Sequence, residues 1–444
     1  MHRFRNTLNL GCVLLAACML GACAPSPLSP QSTILAPTSP PYDYPIQNPY
    51  AATVIAMPPD QKVDLSDIPK PDEETITIYP DRKIPDGFWY EKGLHYGQLI
   101  QPNPAPLIYV IAGTGGDARA EKMHALARMF YSAGFSVVLL PSPTHQNFIV
   151  NASTSFGGRP IESARDLYRV MGMIDQRIAA KTTITERMLT GYSLGAMDAA
   201  FTAKLDDQEH QLNFSRVLLI NPPYSLVTSI KRIDQMLYLG MPGGMDDADK
   251  FIDKIATRLG SMSGEGEALD FTNANLLYDA YQQDKLTPNN FATTIGLSFR
   301  LSAASMVFAN DVMSHSGYIF PKDKEFTTET NLLPVMAVAL RTSFVDYANA
   351  YYAGQLTKHN GETNDTLATE DSLAYLDGYL RHNPKFGLIT NQDDVILGPG
   401  EVDKLASLFG TNEMIFSNGG HLGNMTHPAV AYAIVHFMKN GAMQ

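Results

Sequence analysis

Short runs of apolar residues alternate along this chain with stretches whose apolar residues recur every three or four positions. Strands are predicted for residues 75–79, 88–100, 107–111, 136–140, 187–190, 217–220, 386–390 and 413–416. Helices are predicted for residues 119–133, 161–180, 196 to about 205, 400–409 and 428–439. A run that is apolar at every position suits a strand buried on both faces. The alternation therefore predicts an α/β fold, with a mostly parallel sheet and helices on both of its faces.

The alternation stops between residues 224 and 384, where helical stretches replace the strands. Apolar residues form a stripe at helical spacing in this region, at Phe251, Ile252, Ile255 and Leu259. Charged residues interrupt the longest apolar stretches, so we expect no membrane span here. We interpret residues 224–384 as a large helical cap inserted between two strands. The cap has a core of its own, or forms a lid with an apolar acyl pocket, or does both.

The first residues have the pattern of a targeting sequence. Arg3 and Arg5 precede an uncharged apolar run over residues 8–20, which is too short to span a bilayer comfortably. The run ends in Leu20-Gly21-Ala22-Cys23, which resembles the lipobox of bacterial lipoproteins.

This resemblance implies that residues 1–22 are a signal peptide and that Cys23 is lipidated after cleavage. The chain would then be anchored to a membrane of the bacterial cell envelope. Ala24 follows the cysteine where Asp would favour retention in the inner membrane, so the outer membrane is favoured if the host is Gram-negative. An ordinary secretory signal and an uncleaved anchor are the alternatives.

A proline-rich segment follows the predicted lipidation site. Proline removes backbone donors and stiffens the chain toward an extended conformation. We therefore predict a tether over residues 23–74, and assign the body of the fold to residues 75–223 and 385–444. Three tyrosines are candidates for docking part of the tether onto that body: Tyr42, Tyr44 and Tyr50.

Composition narrows the class of protein. The 444 residues are 45% hydrophobic and 18% charged, which excludes disorder for the bulk of the chain. The net charge of −12 argues against nucleic acid as a partner, because binding phosphates needs clustered Lys and Arg. Two of the three cysteines, Cys12 and Cys18, would leave with the signal peptide. No metal-ligand spacing and no phosphate-binding loop is present, so we predict no metal and no cofactor.

The sequence Gly191-Tyr192-Ser193-Leu194-Gly195 has the pattern G-x-S-x-G, which is weak on its own. Here it follows a predicted strand and opens a predicted helix. A nucleophile at that junction lies on a sharp turn at the carboxyl end of the strand. The two glycines permit the turn, because a Cβ at either position would crowd the packing of strand and helix.

Acidic and imidazole side chains follow later strands in the order that a triad needs. Asp393 and Asp394 come after the strand at 386–390, and His421 follows Gly419 and Gly420 after the strand at 413–416. Ser, Asp and His occur in this order in α/β-hydrolases. From about residue 75 onward the chain resembles the α/β-hydrolase superfamily of serine hydrolases.

The resemblance implies a catalytic triad of Ser193, His421 and one of the two acids. Asp394 is preferred, because it lies three residues after Asn391, as in the G-x-x-D spacing common in the superfamily. Asn stands where Gly is usual, which leaves Asp393 as the alternative.

The chemistry requires each of these residue types. A neutral serine hydroxyl is a poor nucleophile and needs a base within hydrogen-bond reach. A free imidazole has a pKa of about 6.5, so it can take that proton and return it to the leaving group. A buried carboxylate holds the imidazole in the correct tautomer and stabilises its protonated form.

The oxyanion of the tetrahedral intermediate needs backbone donors. The N–H of Leu194 is one candidate, and the loop after the strand at 107–111 should supply the second, most plausibly from Thr114. That loop reads Ala112-Gly113-Thr114-Gly115-Gly116 where the superfamily commonly has His-Gly. The backbone donors survive this change, because each of these residues keeps its N–H group.

Histidines outside this pattern have simpler interpretations. His427 stands before Pro428 at a helix start, and we expect it to be structural. His145 follows the strand at 136–140 and either lines the mouth of the site or lies in an exposed loop.

These observations predict an envelope-anchored serine esterase that cleaves a carboxylic ester or related acyl bond. Its substrate would be an acyl-containing small molecule or a lipid. Acyl transfer and peptide or amide hydrolysis use the same triad and remain alternatives. A different class also remains, a non-catalytic lipoprotein that binds ligands in the cleft under its cap. No feature of the sequence gives the oligomeric state.

Overall fold

The structure is a computed structural model, and it describes residues 38–260, 276–353 and 369–443. The predicted signal peptide, Cys23 and the first part of the predicted tether lie outside the described residues. Two stretches of the predicted cap, residues 261–275 and 354–368, lie outside them as well.

Eight strands form one sheet in the order β1-β2-β4-β3-β5-β6-β7-β8. The strands are β1 (Asp72–Ile76), β2 (Leu94–Leu99), β3 (Ala105–Ile111), β4 (Ser136–Leu140), β5 (Ile184–Tyr192), β6 (Arg216–Ile220), β7 (Phe386–Asn391) and β8 (Glu413–Phe416). β2 is antiparallel to both of its neighbours, and all other pairs are parallel. Together with the strand-to-helix turn at Ser193, this order is the α/β-hydrolase fold that the sequence predicts.

The central strands are apolar at every position because both of their faces are covered. Along β3, Leu107, Tyr109 and Ile111 are buried in one apolar cluster, while Ile108 and Val110 are buried in another. Successive side chains of a strand point to opposite faces, so the two clusters are the two faces of the sheet.

Helices cover each face. The described α-helices of six residues or more are α1 (Pro49–Val54), α2 (Glu121–Ser132), α3 (Gln146–Asn151), α4 (Pro160–Ala179), α5 (Leu194–Glu209), α6 (Leu226–Tyr238), α7 (Ala248–Gly260), α8 (Leu276–Gln282), α9 (Pro288–Ser314), α10 (Leu333–Ala339), α11 (Glu401–Phe409) and α12 (Pro428–Asn440). α4, α5 and α11 pack on the face of the sheet that contains Tyr109. α2 and α12 pack on the opposite face.

The region predicted as a cap contains helices α6 to α10 and several single turns. Within its described residues no strand joins the sheet, and the only β-type contact is an isolated bridge between Ser225 and Ser372. A buried ion pair holds two of its helices together, with Arg300 Nη2 of α9 lying 3.2 Å from Asp234 Oδ1 of α6. Asp234 also accepts backbone hydrogen bonds from Phe344 and Val345, which begin the next turn of the cap.

Helix α9 corrects one expectation. Its 27 residues are long and apolar enough to cross a membrane by length and composition, despite Arg300 and Asp311 within it. However, 61% of its most apolar window is buried inside the protein. Asp311 is satisfied there, because it accepts hydrogen bonds from the N–H groups of Tyr318, Ile319 and Phe320.

Part of the predicted tether is folded onto the body. Residues 42–57 include helix α1 and bury six apolar side chains: Tyr44, Ile46, Ala51, Ala52, Ile55 and Met57. Asn48 caps α1 by accepting from the N–H groups of Tyr50 and Ala51, and Pro49 occupies the first helical position. These are ordinary start signals for a helix, and the proline content of the segment concealed them.

The predicted strand at 88–100 begins too early. Asp86–Phe88 is a single 3₁₀ turn, and Trp89 and Tyr90 beyond it are exposed. Gly93 takes a φ of +77°, a left-handed conformation that ends this turn region just before β2.

Candidate active site

Ser193 lies on the turn between β5 and α5, in a strained backbone conformation with φ +56° and ψ −129°. The two flanking glycines are required by close packing. A Cβ on Gly191 would lie 2.2 Å from the carbonyl oxygen of Gly195, and one on Gly195 would lie 2.4 Å from that of Ile111. The turn therefore presents the serine side chain at the carboxyl edge of the sheet, in a conformation that larger residues at 191 and 195 would prevent.

His421 reaches Ser193 from the loop after β8. Its Nε2 atom lies 2.9 Å from Ser193 Oγ. Both side chains are buried, with residue exposures of 6% for Ser193 and 5% for His421. The structure thus brings the predicted nucleophile and base into hydrogen-bond contact across 228 positions of sequence.

Asp394 lies on the other side of the imidazole. Its two carboxylate oxygens lie 3.1 and 3.0 Å from His421 Nδ1. The carboxylate also accepts hydrogen bonds from Asn221 Nδ2 at 2.8 Å and from the N–H of Ile396 at 3.1 Å. These donors hold the carboxylate in the plane where it can orient the histidine.

Asn221 is a site residue that the sequence analysis missed. It follows β6 directly, has a φ of +46° and is 2% exposed. In the sequence it reads only as the end of a strand before two prolines. Its place directly after a predicted strand is the signal that the sequence offers, but its contact with Asp394 depends on β6 and β7 being neighbours, which the structure shows.

Asp393, the alternative acid, points elsewhere. Its Oδ1 accepts a hydrogen bond from the N–H of Gly420 at 2.9 Å, so it contacts the backbone beside the histidine and not the imidazole. Burial raises the pKa of Asp393 against the opposing effect of the backbone N–H groups of Gly420 and Gly419. The two neighbouring acids therefore occupy different positions, with Asp394 at the imidazole and Asp393 at the loop.

Of the two predicted oxyanion donors, Leu194 directly follows Ser193, and Thr114 lies in the loop after β3, whose Gly113 approaches Ser193. The Leu194 N–H is at the first position of α5, where a helix leaves its N–H groups unpaired. In the loop after β3, Gly115 N–H donates to Thr144 Oγ1 at 2.8 Å and Gly116 N–H donates to the carbonyl of Gly113 at 2.8 Å. Among the described residues, no acceptor takes the N–H of Leu194 or of Thr114.

The loop after β3 lies close to the nucleophile. A Cβ on Gly113 would lie 3.0 Å from the Cβ of Ser193, and one on Gly115 would lie 2.8 Å from the Cβ of Ser302 in α9. Helix α9 of the predicted cap therefore packs directly against the predicted oxyanion loop.

A cavity of about 370 Å³ lies near the site but not at the serine. Its wall includes Tyr50, Arg232 and Asp394. We do not assign the acyl group to this cavity, because Ser193 does not line it. In the described part of the chain, no three His, Cys, Asp or Glu side chains cluster as metal ligands would.

Two other histidines considered in the sequence analysis have structural contacts. His145 caps α3 by accepting from the N–H of Asn147 at 3.2 Å, and burial lowers its pKa. His427 caps α12 through Nδ1, and its Nε2 lies 3.0 Å from Asp43. His427 is thus a contact between α12 and the segment that was predicted as tether.

No family model matches this chain, and no curated protein matches it. Solved structures do resemble it. A protein described as a hydrolase from Legionella pneumophila is 12% identical with a TM-score of 0.44, covering 88% of this chain and 93% of that one. An esterase from Pyrobaculum calidifontis is 15% identical with a TM-score of 0.38, covering 86% and 87%. Est1E from Butyrivibrio proteoclasticus, solved with ferulic acid, is 10% identical with a TM-score of 0.36, covering 79% and 96%. At these values the resemblance concerns the fold alone.

Proposed function

We propose that this chain is a serine hydrolase that cleaves a carboxylic ester or related acyl bond. The observation that supports this proposal is one continuous chain of contacts. Ser193 Oγ lies 2.9 Å from His421 Nε2, and His421 Nδ1 lies 3.0 Å from the Asp394 carboxylate. Nucleophile, base and orienting acid are all buried, where electrostatic contacts are stronger than in water.

In the first half of the reaction, Ser193 Oγ attacks the acyl carbon while its proton moves to His421 Nε2. The carbonyl oxygen becomes an oxyanion, which the N–H groups of Leu194 and Thr114 would stabilise. Each such donor contributes roughly 3 kcal/mol to transition-state stabilisation in serine hydrolases. His421 then gives its proton to the leaving alcohol, the bond between the acyl carbon and that oxygen breaks, and an acyl-enzyme on Ser193 remains.

In the second half, water attacks the acyl-enzyme while His421 takes one of its protons. The tetrahedral intermediate collapses, the proton returns to Ser193 Oγ, and the carboxylic acid leaves. Asp394 keeps its charge throughout and holds the Nδ1–H tautomer of the imidazole. Ser193 is 6% exposed and Ser302 of α9 packs against the oxyanion loop, so a shift of this helix would widen the path of the acyl group to the serine.

The proposal includes the location of the enzyme. Residues 20–23 support lipidation of Cys23, and the chain after it would hold the hydrolase at a membrane of the cell envelope, the outer membrane in a Gram-negative host. Incorporation of labelled palmitate into the wild-type chain, and its loss in Cys23→Ala, would test the anchor independently of activity.

The activity is tested by reacting the full-length chain in detergent with a fluorophosphonate probe and mapping the labelled peptide. We expect label on Ser193, and none in Ser193→Ala. Ser163→Ala removes a buried serine of α4 and serves as the matched control, which should label like the wild type. A short-chain probe is run alongside, so that a closed cap does not prevent labelling.

Failure of a folded wild-type chain to react with either probe would reject the hydrolase proposal and favour a binding lipoprotein. Label at another residue would reject the assignment of Ser193. After label on Ser193, a series of esters with increasing acyl length would define the substrate class.

A further inference from the structure

The folded part of the predicted tether is in contact with the loop that carries the candidate base. We call residues 42–57 the strap, and residues 417–427 the histidine loop. The strap packs in an apolar cluster with cap residues such as Leu286 and Phe291. It therefore lies between the cap and the histidine loop and contacts both.

The closest contact is made by Thr53 of helix α1. Its hydroxyl accepts a hydrogen bond from the backbone N–H of His421 at 2.9 Å and donates one to the carbonyl of Pro49 at 2.7 Å. Both hydrogen-bonding functions of the hydroxyl are thus used, and its orientation is fixed. The histidine is bound by its side chain to Ser193 and Asp394, and by its backbone to the strap.

Two glycines of the histidine loop bring its backbone directly onto α1. A Cβ on Gly420 would lie 2.2 Å from the carbonyl oxygen of Pro49, and a Cβ on Gly423 would lie 1.9 Å from that of Ala52. A Cβ atom at either distance would clash with the carbonyl oxygen, so only glycine fits at these two positions. The loop and the strap therefore approach each other as closely as their backbones allow.

The ends of the histidine loop are held by the first residues of the strap. Asn418 Nδ2 donates to the carbonyl of Ile46 at 3.2 Å. Asn424 Nδ2 donates to the Tyr42 hydroxyl at 2.8 Å, and that hydroxyl also bonds the carbonyl of Asn418. The strap therefore contacts the loop before, at and after the histidine.

The backbone of the loop needs such support. Gly419, Gly420 and Leu422 have φ values of +145°, +55° and +68°, so no helix or strand holds His421 in place. A leucine with positive φ is strained, and such conformations persist only where surrounding contacts determine them. Asn391 and Asp393 hold Gly420 from the sheet side, and the strap holds the opposite side.

We propose that the strap is a positioning element for the candidate catalytic base, and that Thr53 is its positioning residue. This inference rests on the proposed function. Proton transfer between Ser193 and His421 depends on distance and angle, and misplacement of a catalytic group by a fraction of an ångström lowers the rate. Thr53 fixes the backbone of His421 and therefore the position of its imidazole.

The test uses the full-length chain in detergent, with p-nitrophenyl butyrate as substrate and the fluorophosphonate probe as an active-site reporter. Thr53→Val keeps the shape of the side chain and removes the hydroxyl, whereas Thr53→Ser keeps the hydroxyl. We expect Thr53→Val to lower kcat and the labelling rate about tenfold with KM changed less than about twofold. Thr53→Ser should restore kcat to within about threefold of wild type.

Thr294→Val is the matched control, because the Thr294 hydroxyl makes the same hydrogen bond to a carbonyl four residues earlier, in α9. It should leave kcat and the labelling rate at wild-type values. Melting temperatures of all variants separate a change in position from a loss of folding.

The outcomes distinguish this inference from the function on which it rests. An unreactive wild type would reject the proposed function. A reactive wild type together with wild-type kcat in Thr53→Val, or a loss that Thr53→Ser does not restore, would overturn the positioning role. If Thr53→Val does not fold, Tyr42→Phe decides, since it removes only the hydroxyl that bonds Asn424 and Asn418. Lower kcat at unchanged KM in Tyr42→Phe supports the strap, and wild-type kcat overturns it.

Discussion

Asp393 and Asp394 are adjacent in sequence, but their carboxylates contact different groups at the site. Asp394 lies against His421, with Asn221 and the N–H of Ile396 as further donors. Asp393 faces the N–H of Gly420. The residue spacing favours Asp394 from sequence alone, but Asn221 could not be found in that way, because its contact depends on which strands are neighbours.

The two acids should respond differently to replacement by amides. Asp394→Asn removes the charge that stabilises the imidazolium and disturbs the tautomer, so we expect kcat to fall by about 10³- to 10⁴-fold. Asp393→Asn keeps an acceptor for the Gly420 N–H and should lower kcat less than about tenfold. Steady-state kinetics on p-nitrophenyl butyrate measures both, and the reverse order would transfer the triad role to Asp393.

A third buried acid lies on the nucleophile helix. Asp198 of α5 is 1% exposed, and among the described residues neither of its carboxylate oxygens has a hydrogen-bond partner. Burial, with a smaller effect of the nearby Asp371, raises the pKa of Asp198 well above its usual value. The folded state therefore favours the protonated form of this carboxyl group.

This shift has a defined effect on stability. The pKa of such a carboxyl group is higher in the folded state than in the unfolded state, where it is about 4. The group stabilises the folded state fully at pH values below the unfolded-state pKa. That stabilisation is lost as the pH rises toward the folded-state pKa. The amide of the Asp198→Asn variant does not titrate. The melting temperature of this variant relative to wild type should therefore increase between about pH 5 and about pH 8. Asp60→Asn, on the exposed surface, is the control. A difference in melting temperature between Asp198→Asn and wild type that stays constant with pH would contradict the expectation.

At the scale of elements, the strands were the most predictable part of this fold. β4 and β7 begin at the predicted residues, because a strand that is buried along its whole length is mostly apolar and is visible without tertiary information. β8 also begins at the predicted residue, although it is an edge strand and only partly buried. Helix α1 was not predicted, since its six residues are too few to be stable alone and depend on packing against the body. The same is true of α3, whose cap is His145.

The junction of β5 and α5 is closely packed around the nucleophile turn. Gly195→Ala would place a methyl group 2.4 Å from the carbonyl oxygen of Ile111 and 2.5 Å from that of Ala112. Backbone atoms must move to accept it, so we expect destabilisation by about 3 kcal/mol or more, measured by urea unfolding. Gly378→Ala is the control, because nothing lies within 4 Å of its added Cβ and its effect should stay below about 1 kcal/mol. Equal stability of the two variants would refute this account of the G-x-S-x-G glycines.

For the whole molecule, the cap and the sheet share one apolar core. The cluster that contains Tyr109 of β3 also contains Ile295 and Val307 of α9, and Phe344 of the cap. The sequence predicts the insertion and its helical character, but not this continuity, because contacts between distant segments leave no periodic pattern. We therefore expect the cap and the body to unfold in one transition.

The buried pair of Asp234 and Arg300 tests this expectation. Asp234→Ala leaves Arg300, which is 3% exposed, without its carboxylate, and removal of one partner of a buried pair costs about 3–5 kcal/mol. The whole melting transition should move to lower temperature as a single step in calorimetry. Asp246→Ala breaks an ion pair with Arg341 in which both side chains are more than half exposed, and should cost less than about 1 kcal/mol. A separate early transition in Asp234→Ala would show that the cap unfolds on its own.

The contact between Thr53 and His421 also sets the order in which the protein can become active during its synthesis. These residues are 368 positions apart, and Ser193 is 228 positions from His421. A nascent chain can fold its first strands and its nucleophile turn while the histidine has not yet been made. Activity therefore has to wait until the segment carrying His421 returns to the strap formed at the start. Premature termination anywhere before that loop would yield a product that lacks the candidate base.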